Sequence, residues 1–130
     1  MNKDFNKLFN KNRLTLDNLN DLDQNMGQLL DKKSIITYKN CNKINLNINS
    51  KINHLYIKNC KNMNIKIKSL INGFKIDNCL NIILDLYDCD NIIEITINNS
   101  NDIKLKMKKK NMDTQFIDIV NSKKISFKLK

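Results

Sequence analysis

The chain has 130 residues, enough for one domain with a slender core, and its 41% hydrophobic content agrees with that. The formal charge of +10 invites a nucleic-acid reading, but there is one Arg (Arg13) and aromatics are 6%, so base-edge readout and a stacking platform are both poorly supplied. Lys, Asn and Ile make up about half of the chain, as codon bias in an AT-rich genome would give; nucleic acid is therefore not the expected partner, beyond weak polyanion attraction. No apolar run follows Met1 as in a secretory leader, and none has the length of a membrane span, so a soluble, cytoplasmic protein with four reduced cysteines and no membrane contact is expected.

In chain order, residues 1–32 come first. Leu16, Leu19, Leu22, Met26, Leu29 and Leu30 recur at three- and four-residue spacings, which predicts an amphipathic capping helix with Thr15 as N-cap. The same stretch also fits a degraded copy of the repeat below, because Asn18 precedes Asn40 by 22 residues. From residue 33 to 130 the pattern is explicit. Ile36-Thr-Tyr38-Lys-Asn40-Cys41 returns as Leu55-Tyr-Ile57-Lys-Asn59-Cys60 and as Phe74-Lys-Ile76-Asp-Asn78-Cys79. It returns again, with Ser for Cys, as Ile95-Thr-Ile97-Asn-Asn99-Ser100 and Ile117-Asp-Ile119-Val-Asn121-Ser122. A second alternating run follows each copy: Ile44, Leu46, Ile48; Met63, Ile65, Ile67; Ile82, Leu84, Leu86; Ile103, Leu105, Met107; Ile125, Phe127, Leu129.

Period-two strands too short to stand alone, repeated every 19 to 22 residues in one direction, predict an all-β, right-handed parallel β-helix (solenoid) of about five coils. Pro is absent and Gly occurs only at Gly27 and Gly73, so the 25 Asn must turn the chain. Asn40, Asn59, Asn78, Asn99 and Asn121 are expected at one corner, with Cys41, Cys60, Cys79, Ser100 and Ser122 as a row of small residues beside them. That row lacks the paired C-x2-C spacing of zinc sites, so it is assigned a packing role. Cys89 stands outside it and is expected to be the accessible thiol.

The segment Asn62–Ser100 resembles the central coils of the C-terminal β-helix domain of cyclase-associated proteins, the C-CAP/CARP, cofactor C-like family. The matching residues are Ile67-Lys68, Ile71-Asn72, Ile76-Asp77-Asn78-Cys79, Glu94-Ile95 and Asn99-Ser100. With the flanking coils the resemblance spans residues 33–130. It implies a protein-binding domain whose partner is the actin monomer, and a homodimer. The family's "TDGC" segment beyond the fifth coil, which contributes to dimerisation and actin contacts, resembles nothing here. The cofactor C branch acts on GTPases through an Arg in a coil; Arg13 precedes the first clear coil, and none of the five recognised coils contains Arg.

The residues themselves offer no catalytic constellation. His54 reads as a solvated turn residue, and Asp85, Asp88 and Asp90 read as a polar turn rather than a cation site. No enzyme activity, cofactor or metal is expected. Function therefore falls to surfaces. Lys39 and Lys58 in one row, Lys66, Lys106 and Lys128 in another, with Lys68 and Lys104, form the candidate basic face for an acidic partner. Ile125, Phe127 and Leu129 form the candidate dimer edge. The alternative reading is a self-assembling structural solenoid that has lost actin binding.

Overall fold

Asparagine at positive φ builds the corners. The computed structural model describes residues 9–10, 12–27, 30–113 and 116–130. Within them the same turn occurs six times: two residues three apart, both left-handed. The pairs are Asn18 and Asp21, Asn40 and Lys43, Asn59 and Asn62, Asn78 and Asn81, Asn99 and Asp102, and Asn121 and Lys124, all at φ between 51° and 63°. The left-handed region costs most L-residues about 1–2 kcal/mol and costs Asn and Asp less, since their short side chains bond locally. Ten of the twelve positions carry Asn or Asp, which is how a chain without Pro turns so regularly.

Between corners the chain is strand. Two short strands come first, β1 (Phe9–Asn10) and β2 (Arg13–Asp17), paired antiparallel. Then follow β3 (Asn20–Met26), β4 (Ile35–Lys39), β5 (Asn42–Lys58), β6 (Lys61–Asp77), β7 (Leu80–Leu86), β8 (Glu94–Asn98), β9 (Asn101–Met107), β10 (Phe116–Val120) and β11 (Lys123–Leu129). A 3-10 helix at Lys109–Asp113 is the one described helical element. Every pairing after β1–β2 is parallel. β2, β4, residues 54–58 of β5, residues 73–77 of β6, β8 and β10 stack into a first face. β3, residues 42–48 of β5, residues 61–67 of β6, β7, β9 and β11 stack into a second. The expected parallel β-solenoid is thus observed, and the five Asn do share a corner.

The core is the inward alternation of both faces. Ile36, Leu55, Phe74 and Ile95 form one buried column, and Ile48 and Ile67 belong to another. Along the Asn corner, side-chain amides bond from coil to coil: Asn78 Nδ2 donates to Asn59 Oδ1 at 2.7 Å, and Asn121 Nδ2 to Asn99 Oδ1 at 2.7 Å. The ladder is interrupted where carboxylates intrude, since Asn40 donates to Asp17 and Asn99 to Asp77.

The helix expected over the leucines of residues 1–32 is corrected by the described part of that segment. Residues 13–17 and 20–26 are strands, paired in parallel with β4 and β5. Leu14 and Leu16 point inward by strand alternation, and positive φ at Asn18 and Asp21 is incompatible with a helix running through them. The three-residue spacing of Leu16, Leu19 and Leu22 arises because a corner separates two strands. The degraded-copy reading is the one observed, so this row of strands precedes the five recognised in the sequence. Residues 1–8, 11, Gln28 and Leu29 lie outside the described residues.

Candidate functional site

The solenoid presents two outer faces and the concave corner between them. On the first face, parallel register places Asp17, Lys39, Lys58, Asp77, Asn98 and Val120 in one outward row. Lys39 and Lys58 are therefore adjacent, with a carboxylate at either end. The neighbouring row runs Thr15, Thr37, Tyr56, Lys75, Thr96 and Asp118, and the Lys75 ammonium sits 5.4 Å from the centre of the Tyr56 ring. His54 belongs to this face as part of β5, not to a solvated turn. It is half-buried opposite Gly73, and desolvation holds its imidazole below the usual value, against the attraction of Glu94.

The second face carries the other five lysines. Its outward rows read Asn25, Asn47, Lys66, Asp85, Lys106, Lys128 and Asp23, Asn45, Asn64, Ile83, Lys104, Ser126. Lys68 follows on the same strand as Lys66. The seven candidate lysines are thus divided between two faces. Asp85 separates Lys66 from Lys106, whereas Lys106 and Lys128 are neighbours, with Lys104 in the adjoining row.

Two members of the acidic cluster pair with lysines, one of them the candidate Lys66. Lys66 approaches Asp88 at 4.0 Å, while Lys108 and Lys110 both reach Asp90, whose carboxyl is held below its usual value by the Lys108 hydrogen bond. Among the described residues no group of three or more His, Cys, Asp or Glu is arranged to hold a metal ion, and no helix is long and apolar enough to cross a membrane.

The last coil is the most apolar exposed region. Phe116 and Val120 are 52% and 50% exposed at outward positions of β10, and Ile117 and Ile119 remain 39% and 38% exposed at inward ones. Of the candidate edge residues, Ile125 and Phe127 are half-buried against the core and Leu129 is exposed. β11 pairs with β9, and β10 with β8; among the described residues neither has a strand on its other side. The sequence pointed to β11 and missed β10, although the near-continuous apolar run Phe116-Ile-Asp-Ile-Val120 was a visible signal.

The corner groove has a volume of 840 Å³ and is walled by Asn40, Asn59, Asn78, Asn99 and Asn121. The row behind them does more than pack. Each thiol or hydroxyl donates to the carbonyl two residues earlier: Cys41 to Lys39 at 3.1 Å, Cys60 to Lys58 at 3.2 Å, Cys79 to Asp77 at 3.3 Å, Ser100 to Asn98 at 2.8 Å and Ser122 to Val120 at 2.9 Å. Several also accept from the N–H of the preceding coil, as Cys60 Sγ does from Cys41 at 3.4 Å and Ser100 Oγ from Cys79 at 3.1 Å. Cys89, expected to be accessible, is fully buried. It turns inward from the connection between β7 and β8, its thiol facing the Ile67 carbonyl and its own carbonyl accepting from the Asn111 amide, and burial pushes its pKa up to about 12.

The family model described as adenylate cyclase associated (CAP) C terminal matches residues 6–129. Among solved structures, the cyclase-associated protein from Cryptosporidium parvum superposes with a TM-score of 0.72, covering 92% of this chain and 75% of that one at 16% identity. At that identity the likeness is one of fold. No curated protein matches the sequence.

Proposed function

This chain belongs to the adenylate cyclase associated (CAP) C-terminal family, and on that premise we propose that it is a non-enzymatic binding module for an acidic protein partner, the actin monomer, in the cytoplasm. The family match over nearly the whole chain carries the reading. Electrostatics support it: Lys104, Lys106 and Lys128 form a basic area on the second face, with Lys66 and Lys68 on the far side of Asp85. Complementary charge accelerates encounter with an acidic surface and fixes its orientation.

The test is retention of monomeric actin by the immobilised protein, with one variant for each face. Lys104→Glu/Lys106→Glu should weaken retention at least tenfold at low salt, and Lys39→Glu/Lys58→Glu should leave it within about twofold. Equal retention by both variants and the parent would overturn the assignment of the second face.

A second reading is favoured by the exposed apolar residues of β10: association with another copy through the β10–β11 edge, either as a homodimer beside actin binding or as a self-assembling scaffold without it. An uncovered parallel edge with core behind it recruits strands readily. Light scattering at micromolar concentration should show a dimer that Phe127→Lys abolishes; a monomer in both samples refutes it.

A further inference from the structure

The actin reading draws on the second face and leaves the first without a task. On the first face Lys39 and Lys58 stand directly opposite each other in register, on adjacent coils. Like charges so placed destabilise a sheet. The same row holds a carboxylate on either side of them, Asp17 and Asp77. Both are turned to the Asn corner instead: Asp17 Oδ1 accepts from Asn40 Nδ2 at 3.0 Å, and Asp77 Oδ1 from Asn99 Nδ2 at 3.5 Å. Among the described residues neither lysine forms an ion pair. The adjoining row supplies an aromatic ring. Thr37, Tyr56 and Lys75 are neighbours there, and the Lys75 ammonium lies 5.4 Å from the Tyr56 ring centre. Lys75 belongs to β6, so it covers the ring from that side. On the β4 side the neighbour is Thr37, too short to cover an aromatic face. A shelf above Thr37 is thus bounded by the ring and opens towards the two lysines.

We propose that this shelf binds an aromatic phosphomonoester, its ring stacked on the free side of Tyr56 and its phosphate held between the Lys39 and Lys58 ammoniums. Charge selects the anion. A phosphomonoester carries about −1.5 to −2 at pH 7 and three acceptor oxygens, enough to engage both lysines at once. A carboxylate has a single charge to share between them.

Spacing selects the ring. Neighbouring coils are about 4.8 Å apart, so a ring lying over Thr37 sits one coil from Tyr56, within the range of about 4.5–7 Å at which aromatic pairs stack. Tyr56 and Lys58 are two residues apart on one strand, about 6.6–6.8 Å, which brings ring and phosphate within the length of one small ligand. Lys75 holds the Tyr56 ring from behind through its cation–π contact, so the platform is set before the ligand arrives.

The test is titration of the isotope-labelled full chain with phenyl phosphate, followed through backbone amide shifts, with inorganic phosphate as the ringless comparison. Shifts should concentrate at Thr37, Lys39, Tyr56 and Lys58, and phenyl phosphate should bind about three- to tenfold more tightly than inorganic phosphate. Lys39→Ala/Lys58→Ala should weaken binding by about tenfold or more. Tyr56→Leu should lower the affinity to that of inorganic phosphate, and Lys51→Ala, at an exposed lysine outside both rows, should leave it unchanged. These positions all lie outside the buried core, and each spectrum reports the fold directly. A phosphotyrosine peptide and adenosine monophosphate then separate a protein source from a nucleotide source; tighter binding of either supports the site and names its source. Absence of binding, equal affinity for phenyl phosphate and inorganic phosphate, shifts confined to the second face, or unchanged binding by either first-face variant would overturn it. Actin is absent from the experiment, so failure here leaves the partner assignment standing.

Discussion

Gly73 is the residue at which the coil stack tolerates least. It lies at φ +154°, and a Cβ there would stand 1.9 Å from the Glu94 carbonyl oxygen, 2.8 Å from its carbon and 3.0 Å from its nitrogen. The obstruction is the backbone of β8, paired in register with this part of β6, so no side-chain rotation relieves it. Restoring an ordinary contact of 3.4 Å moves that oxygen by about 1.5 Å, enough to break neighbouring bonds such as Ile93 N–H to the Asn72 carbonyl at 2.9 Å. Backbone strain of about 1–3 kcal/mol and overpacking of similar size together put Gly73→Ala about 3–5 kcal/mol below the parent. Gly27 supplies the control, since its nearest obstruction is the Asn49 carbonyl at 3.4 Å; Gly27→Ala should change stability by less than about 1 kcal/mol. Urea unfolding followed by circular dichroism should show a midpoint about 2 M lower for Gly73→Ala. A midpoint equal to that of Gly27→Ala would refute the close approach of β6 and β8.

Other perturbations probe the register and the corners. Ile76 is fully buried and Lys75 points outward over Tyr56; Ile76→Asp should unfold the domain, while Lys75→Asp should cost about 1 kcal/mol, and equal thermal shifts would mean the inward and outward positions are exchanged. Lys43 holds φ 60° where most corners place Asn or Asp; Lys43→Asn should raise stability by about 0.5–1 kcal/mol, and a loss would show that the Lys43 side chain matters more than its backbone. Cys89 keeps its proton in the folded state up to about pH 12 but releases it near pH 9 when unfolded. Stability should therefore fall as pH rises from 9 towards 12, and a Cys89→Ala variant should show a shallower alkaline slope in chemical denaturation.

The solenoid was legible in the sequence because one physical demand recurs at a fixed interval. A left-handed residue in a chain lacking spare Gly selects Asn, and Asn40, Asn59, Asn78, Asn99 and Asn121 mark that demand directly. The first corner was hidden for a related reason. Leu19 occupies the place that Cys or Ser takes elsewhere, and with Leu16 and Leu22 it imitates helical spacing across two strands. Surface assembly was less legible. Which lysines are neighbours depends on register: the corner-to-corner interval changes from 19 to 22 residues, and carboxylates at Asp77 and Asp85 enter the rows between them. The burial of Cys89 depends on how the connection between β7 and β8 closes, where the Asn111 side chain, 22 residues away, donates to the Cys89 carbonyl. Nothing in the immediate sequence of Cys89 encodes that contact.

The central claim, that this coil stack is an actin-monomer module, is tested most directly by titrating labelled actin monomer with the full chain at low salt, following anisotropy and release of bound fluorescent nucleotide in one sample. The account predicts saturable binding, faster nucleotide release, and affinity that falls as salt rises. Flat anisotropy to tens of micromolar (weaker than about −6 kcal/mol), from protein whose dichroism confirms the folded solenoid, would contradict it.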